Sequence, residues 1–390
     1  MSDTLSAQRT HFRIDEIMAK AKEDTGLSDF GDPWFMEPLA VFVDALNREG
    51  DLSAMGLQVQ GASLLKWLSE RLRRIDLVKQ NPEIADEKVE VLAEIVGLPR
   101  TGSTMVHRLL TSSPQVTSTY SWELLNPLPF PGETFGDPQM RKDIAEAMTA
   151  FYLQAMPDMA AIHPLDPYGY EEDVLLLDRS FMSTGFHSML KVPSYDRWLL
   201  DADQRPAYRE LKEWLQILQW QDKSRADKKW LLKSPHHLTA LRAILEVFPE
   251  CKIVVTHRTP VETVPSYASM VYTMTKSNTD KADPHEIGVY WDKRFQRVLR
   301  DVMEVRKSVP GRFIDIRYKD VQIQPIVEAR KVFDALGLPY GVEEEALMES
   351  WLVENARDRH PPHKYSAEDF GLTREALARD FKFYIDAYLA

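Results

Sequence analysis

The run Gly97-Leu98-Pro99-Arg100-Thr101-Gly102-Ser103-Thr104 places two glycines with four residues between them, the spacing of a phosphate-binding loop. An aliphatic, β-branched stretch at 89–96 feeds it, and a helical pattern over 103–110 leaves it. In that setting the amides of the turn and the helix N-terminus form a seat for an anion. The lysine that would grip the β- and γ-phosphates of a nucleoside triphosphate is missing. Ser103 stands in its place, and the cation has moved to Arg100 inside the loop. The expected chemistry is therefore capture of a phosphate-like group without triphosphate hydrolysis.

Two further segments carry cations at the ends of apolar runs. Thr256-His257-Arg258-Thr259-Pro260 closes the run 253–257, and Ser266 follows eight residues after Arg258. An arginine fork binds phosphate through two parallel hydrogen bonds, and a hydroxyl on the next helix adds a donor. Lys233 closes a shorter run at 230–233 within Leu232-Lys233-Ser234-Pro235-His236-His237, and a helix is expected over 237–248. A third apolar run occupies 313–317. Strands alternating with helices predict a parallel sheet covered on both faces. Ligands of such sheets bind beyond the carboxyl ends of the strands, so Arg100, Lys233 and Arg258 should share one rim.

The first loop, followed by His107-Arg108-Leu109-Leu110, resembles the 5′-phosphosulfate loop of sulfotransferases, in the bacterial branch with arginine in the loop. Met105 stands where cytosolic aryl and steroid members carry tryptophan. The arginine-serine pair is similar to that family's 3′-phosphate motif, and the resemblance runs from Val89 to about Gly337, with Tyr318-Lys319-Asp320-Val321 inside it. It implies an α/β fold with a P-loop-like central parallel sheet flanked by helices. It also implies 3′-phosphoadenosine-5′-phosphosulfate (PAPS) as co-substrate, no metal, and a hydroxyl or amine of a small molecule as acceptor. Arg100, Thr101, Gly102, Ser103, Thr104, Met105, Arg258 and Ser266 would bind the donor, and Arg100 and Lys233 would stabilise the transferred group. Two readings of the base stay open. Glu123, in Ser121-Trp122-Glu123-Leu124, matches the glutamate of other branches, and Trp122 would help burial raise its pKa. His237 or His236 follows Lys233, although Pro235 occupies the position of the cytosolic members' catalytic histidine. A nucleotide kinase or triphosphatase, or a non-catalytic nucleotide-binding protein of the same fold, are the alternatives. The first would need the absent loop lysine.

The rest of the chain bounds this picture. Residues 1–86 read as a helical segment and 87–390 as the α/β domain, with a proline-rich insert at 127–194 expected to shape the acceptor pocket. Glu171-Glu172-Asp173 is expected to cap a short helix or to form an acidic wall of that pocket. Most aromatics of the insert, among them Phe181 and Phe186, are expected in the core. A basic turn and helix at 357–390 offer Arg359, His360, His363 and Lys364 to close over the 3′-phosphate. A net charge of -12 argues against a nucleic-acid partner. The single cysteine, Cys251, excludes an internal disulfide. The polar N-terminus and the lack of a long apolar run predict a cytoplasmic protein without a membrane span; a homodimer is compatible with all of this.

Overall fold

The computed structural model describes residues 11–155, 165–355 and 365–390. Arg359, His360, His363 and Lys364, expected over the 3′-phosphate, lie outside the described residues. Five strands, β1 (Val91–Gly97), β2 (Val116–Thr117), β3 (Lys229–Lys233), β4 (Lys252–His257) and β5 (Phe313–Arg317), form one sheet in the order β2-β3-β1-β4-β5. Every neighbouring pair is parallel. The two-residue strand β2 was not expected from the sequence. It is too short to carry a period-2 signal, and its register comes from pairing with Lys229 and Trp230.

The central strands look continuously apolar because both faces are covered. In β1, Val91 joins one core, whereas Ala93 and Ile95 join the other. In β4, Ile253 and Val255 alternate with Val254 in the same way. The larger core also takes in Leu39, Phe42, Leu64, Leu68 and Leu72 of the N-terminal helices Met36–Glu49 and Ala54–Gln80, so these helices share their packing with the sheet. Leu64, Leu68 and Leu72 are spaced at i, i+4 and i+8, the spacing that puts them on one buried stripe. Burying side chains of this size is worth roughly 1.5–3 kcal/mol each. Phe181 and Phe186 lie in this core, as does Cys251. Among the described residues no helix is long and apolar enough to cross a membrane.

The helix expected over 237–248 is divided. A 3₁₀ turn at Pro235–Thr239 precedes the helix Leu241–Val247, with Ala240 at φ -129° between them. Pro235 supplies the fixed φ of the first helical position, and Ser234 Oγ accepts from the amide of His236 at 3.3 Å. This tight turn sets the two histidines on different sides: His237 is fully buried, and His236 is partly open.

Candidate active site

The carboxyl ends of β1, β3 and β4 converge, as the strand order requires, and a cleft of about 600 Å³ lies beyond them. Arg100, Gly102, Ser103, Thr104, Met105, Glu172, His236 and Arg258 line it. The loop after β1 has little freedom. Gly97 has φ +155°, and a Cβ there would sit 2.4 Å from Thr256 Oγ1, so only glycine lets the loop leave the sheet beside β4. Arg100 has φ +72°, a left-handed conformation rare for a non-glycine residue and held here in a phosphate-type loop. Gly102 has φ +85°, and no side chain caps the helix Ser103–Leu110 that follows. That open N-terminus favours an anionic occupant.

Thr101, expected at the donor, has its hydroxyl engaged within the protein. Its hydroxyl donates to Leu98 O at 2.7 Å and meets Thr256 Oγ1 at 2.6 Å, so its side chain fastens the loop to β4 instead. Arg100 and Arg258 are neighbours. Arg258 Nη1 donates to the carbonyl of Arg100 at 3.0 Å, and Arg100 Nε donates to Ser266 Oγ at 3.3 Å. The Arg258 guanidinium lies 4.3 Å from the Tyr318 ring centroid and is held by Glu262 at 2.8 Å. The two anion-binding motifs read from the sequence therefore adjoin in one cleft. Burial, and then the positive charge of Arg258, push the Arg100 guanidinium below its ordinary pKa, a strain that a bound anion would relieve.

Lys233 ends β3 with 1% of its side chain exposed. Its Nζ donates to Glu172 Oε1 at 2.7 Å and to Thr104 Oγ1 at 3.2 Å. Ser234 Oγ donates to the other oxygen of Glu172 at 2.9 Å. The acidic triplet does not cap the helix Val174–Leu177, because Asp173 makes no side-chain bond to that helix's amides. Asp173 instead accepts from the Lys233 amide at 3.3 Å and meets His237 Nε2 at 2.9 Å.

His237 is thereby set apart from the cleft. Its other ring nitrogen meets the Tyr208 hydroxyl, and Glu94 lies 3.6 Å from Nε2. Glu94, Asp173 and His237 bring ligand atoms within 4.8 Å of one another, a cluster that the linear sequence hid because its members are 64 to 143 positions apart (237 - 173 and 237 - 94). These residue types could hold a cation, but the cluster already closes on itself. The Ser234 amide donates to Glu94 at 3.2 Å, while Tyr208 and Asp173 take both nitrogens of His237. Burial, reinforced by Asp173, pushes the Glu94 carboxyl well up and so favours its neutral form. The cluster fixes the β3 end from beneath. His236 does line the cleft, and burial holds its imidazole down to about 4, so it is neutral near pH 7.

Glu123 is not brought to the cleft. Arg225 donates to its Oε1 at 2.8 Å, and the Tyr120 amide donates to its Oε2 at 2.9 Å. It lines a different cavity of about 410 Å³ with Trp122, Arg141 and Tyr168. Burial pushes its carboxyl up, and Arg225 opposes this. Both partners of this ion pair are buried, so removing one charge strands the other. The expected result for Glu123→Gln is a loss of about 2 kcal/mol of stability in denaturant unfolding, with nucleotide affinity unchanged. A collapse of turnover at unaltered stability would return Glu123 to the role of base.

The sequence reading missed what lies opposite the loop. Tyr267 and Met270 from the helix Pro260–Lys276, Tyr318, and Trp351 and Leu352 from the helix Val342–Glu354 complete the cleft. Of the 127–194 insert, only Leu165, Asp166 and Glu172 reach it among the described residues.

A model of the sulfotransferase family matches residues 94–342, which include the loop, Lys233 and Arg258. The chain belongs to the sulfotransferase family. It is 27% identical over 259 residues to omega-hydroxy-beta-dihydromenaquinone-9 sulfotransferase Stf3 of Mycobacterium bovis and of Mycobacterium tuberculosis, a match covering 63% of this chain. The chain spans about 62% of the length of these curated relatives. The fold agrees over a longer stretch. Sulfotransferase STF1 of Mycobacterium tuberculosis H37Rv superposes with a TM-score of 0.83 at 28% identity, covering 95% of this chain and 99% of that one. STF9 of Mycobacterium avium superposes with a TM-score of 0.85 at 27% identity, covering 100% and 98%. This member of the sulfotransferase family thus shares the central parallel sheet and flanking helices of solved family structures.

Proposed function

We propose that this sulfotransferase-family protein moves a sulfuryl group from PAPS to a hydroxyl on a lipophilic small molecule. One observation carries the donor assignment. Arg258 is hydrogen-bonded to the carbonyl of Arg100, and Arg100 to Ser266, so two anion-binding motifs form one cradle beside a single cleft. A nucleotide phosphorylated at both the 3′ and 5′ positions of its ribose suits such a cradle. A plain nucleoside triphosphate would leave the Arg258 side unused.

In this reading the 5′-phosphosulfate rests on the amides of Gly102, Ser103 and Thr104 with Arg100, and Met105 packs beside it. The 3′-phosphate takes the Arg258 fork and the Ser266 hydroxyl. Lys233 stabilises the charge that develops on the leaving phosphate oxygen. The acceptor enters along the wall of Leu165, Tyr267, Met270, Trp351 and Leu352, which is apolar enough for a lipid-like molecule. A relative named for acting on an omega-hydroxy-beta-dihydromenaquinone-9 supports an isoprenoid quinone or a similar hydroxylated lipid.

Calorimetric titration tests the donor. Adenosine 3′,5′-bisphosphate is expected to bind about 100-fold more tightly than adenosine 5′-phosphate, the worth of one bidentate charge-assisted contact. Equal affinities would overturn the assignment. Transfer from sulfur-labelled PAPS to geranylgeraniol, compared with a phenol and a sugar, tests the acceptor class. A clear preference for the sugar would refute it.

A further inference from the structure

The cation assigned to the leaving group is shut away. Lys233 exposes 1% of its side chain and does not line the cleft, whereas two residues bonded to its ammonium do: Thr104 and Glu172, the latter exposing 17%. One Glu172 oxygen holds Lys233 Nζ at 2.7 Å, and the other is held by Ser234 Oγ at 2.9 Å. A donor sulfonate cannot reach Lys233 while that ion pair is closed. Glu171 Oε1 already lies 3.8 Å from the same ammonium, so a sulfonate arriving beside both carboxylates would meet repulsion, most of it from the nearer Glu172.

We propose that Glu172 is a latch on Lys233 that the donor must open, and that the carboxylate so released takes the acceptor's proton. The inference rests on the PAPS reading above. When the phosphosulfate seats on the loop, its sulfonate takes over Lys233. Glu172 turns toward the cleft with its other oxygen still bonded to Ser234. There it removes the proton of the acceptor O–H. The acceptor oxygen forms a bond to sulfur as the bond from sulfur to the 5′-phosphate oxygen breaks. The electron pair of that bond stays on the phosphate oxygen beside Lys233, and Glu172 later returns its proton to water. No other reactant is needed. Donor must bind before acceptor, because the base is tied up until then.

His236 is the rival group on the cleft wall. It has no bond to Lys233 that donor binding would break, so its use as base would leave the two events uncoupled. Titratable and charged groups near Glu172 include Lys233 at the end of β3, His236 after it, Glu94 on β1 and Tyr267 on the helix Pro260–Lys276, with Glu171 beside it in the chain paired to Arg108 at 3.9 Å.

The latch gives a signature opposite in sign to ordinary damage at a binding site. Glu172→Gln removes the nearer of the two carboxylates on Lys233, so PAPS titrated without acceptor, which carries the sulfonate, should bind about tenfold more tightly than to the unaltered protein, within the usual range of coupling between two ligands for one group. The same variant should transfer sulfuryl from PAPS to geranylgeraniol at least about 100-fold more slowly, having lost its base. Glu172→Asp, whose carboxylate stands one methylene further back, should also tighten nucleotide binding yet recover part of the rate. Unchanged or weaker nucleotide binding in both variants would overturn the latch, and retained transfer in Glu172→Gln would overturn the base. Failure of the unaltered protein to bind the bisphosphate would instead sink the PAPS reading itself.

Discussion

Replacing Lys233 by alanine is expected to slow sulfuryl transfer by about 10³-fold, the loss typical of removing one preorganised group from a developing negative charge. The lysine works in a water-poor setting, with 1% of its side chain exposed and its ammonium held by Glu172 and Thr104. In such a setting a point charge acts with little screening. Binding should change far less than rate, because the ammonium spends the donor-free state on Glu172. Single-turnover rates with PAPS, beside calorimetric affinities for the bisphosphate, separate the two. A rate within tenfold of the unaltered protein would remove Lys233 from the chemistry. Arginine would not rescue the loss, since its planar fork does not fit a pocket closed around an ammonium.

Arg258→Ala is expected to weaken adenosine 3′,5′-bisphosphate by about 300-fold (about 3.4 kcal/mol), as truncation of a hydrogen-bonded charge contact does. Adenosine 5′-phosphate, which lacks the 3′ group, should lose less than about threefold by the same reasoning. The comparison matters because Arg258 also holds the Arg100 carbonyl at 3.0 Å. Were Arg258 only a prop for the loop, both nucleotides would weaken together. Selective loss of the bisphosphate is the result that assigns the 3′-phosphate to it.

That Arg100, Arg258 and Ser266 would meet on one rim was legible in the chain because the signals for it are local. Gly97, Arg100, Gly102 and Ser103 sit within one turn between a strand and a helix, and Arg258 with Ser266 spans one strand end and the helix after it. The strands β1, β3, β4 and β5 announced themselves through aliphatic runs, and parallel pairing followed from the helices between them. The catalytic side was not legible, because its partners are distant in sequence. Glu172 meets Lys233 across 61 positions, and Glu123 meets Arg225 across 102. Nothing in Ser121-Trp122-Glu123 reveals that a buried arginine will claim that carboxylate. His237 likewise looked free beside Lys233 until the 3₁₀ turn aimed it at Asp173 and Tyr208. The outer wall was hidden for the same reason: Trp351 and Leu352 approach the loop only through the tertiary fold.

The two walls of the cleft hang from different parts of the fold. The donor cradle hangs from strand ends that are locked below by Thr101 on Thr256 and by Asp173 on Lys233, so it moves only if the sheet moves. The opposite wall consists of side chains projecting from helices, such as Met270 and Leu352, which are partly buried against the cores that cover the sheet but carry none of its strand ends. On the proposed reading, such a layout would let a lineage of these proteins exchange one acceptor for another by point changes along the rim while the strand-end cradle is inherited untouched.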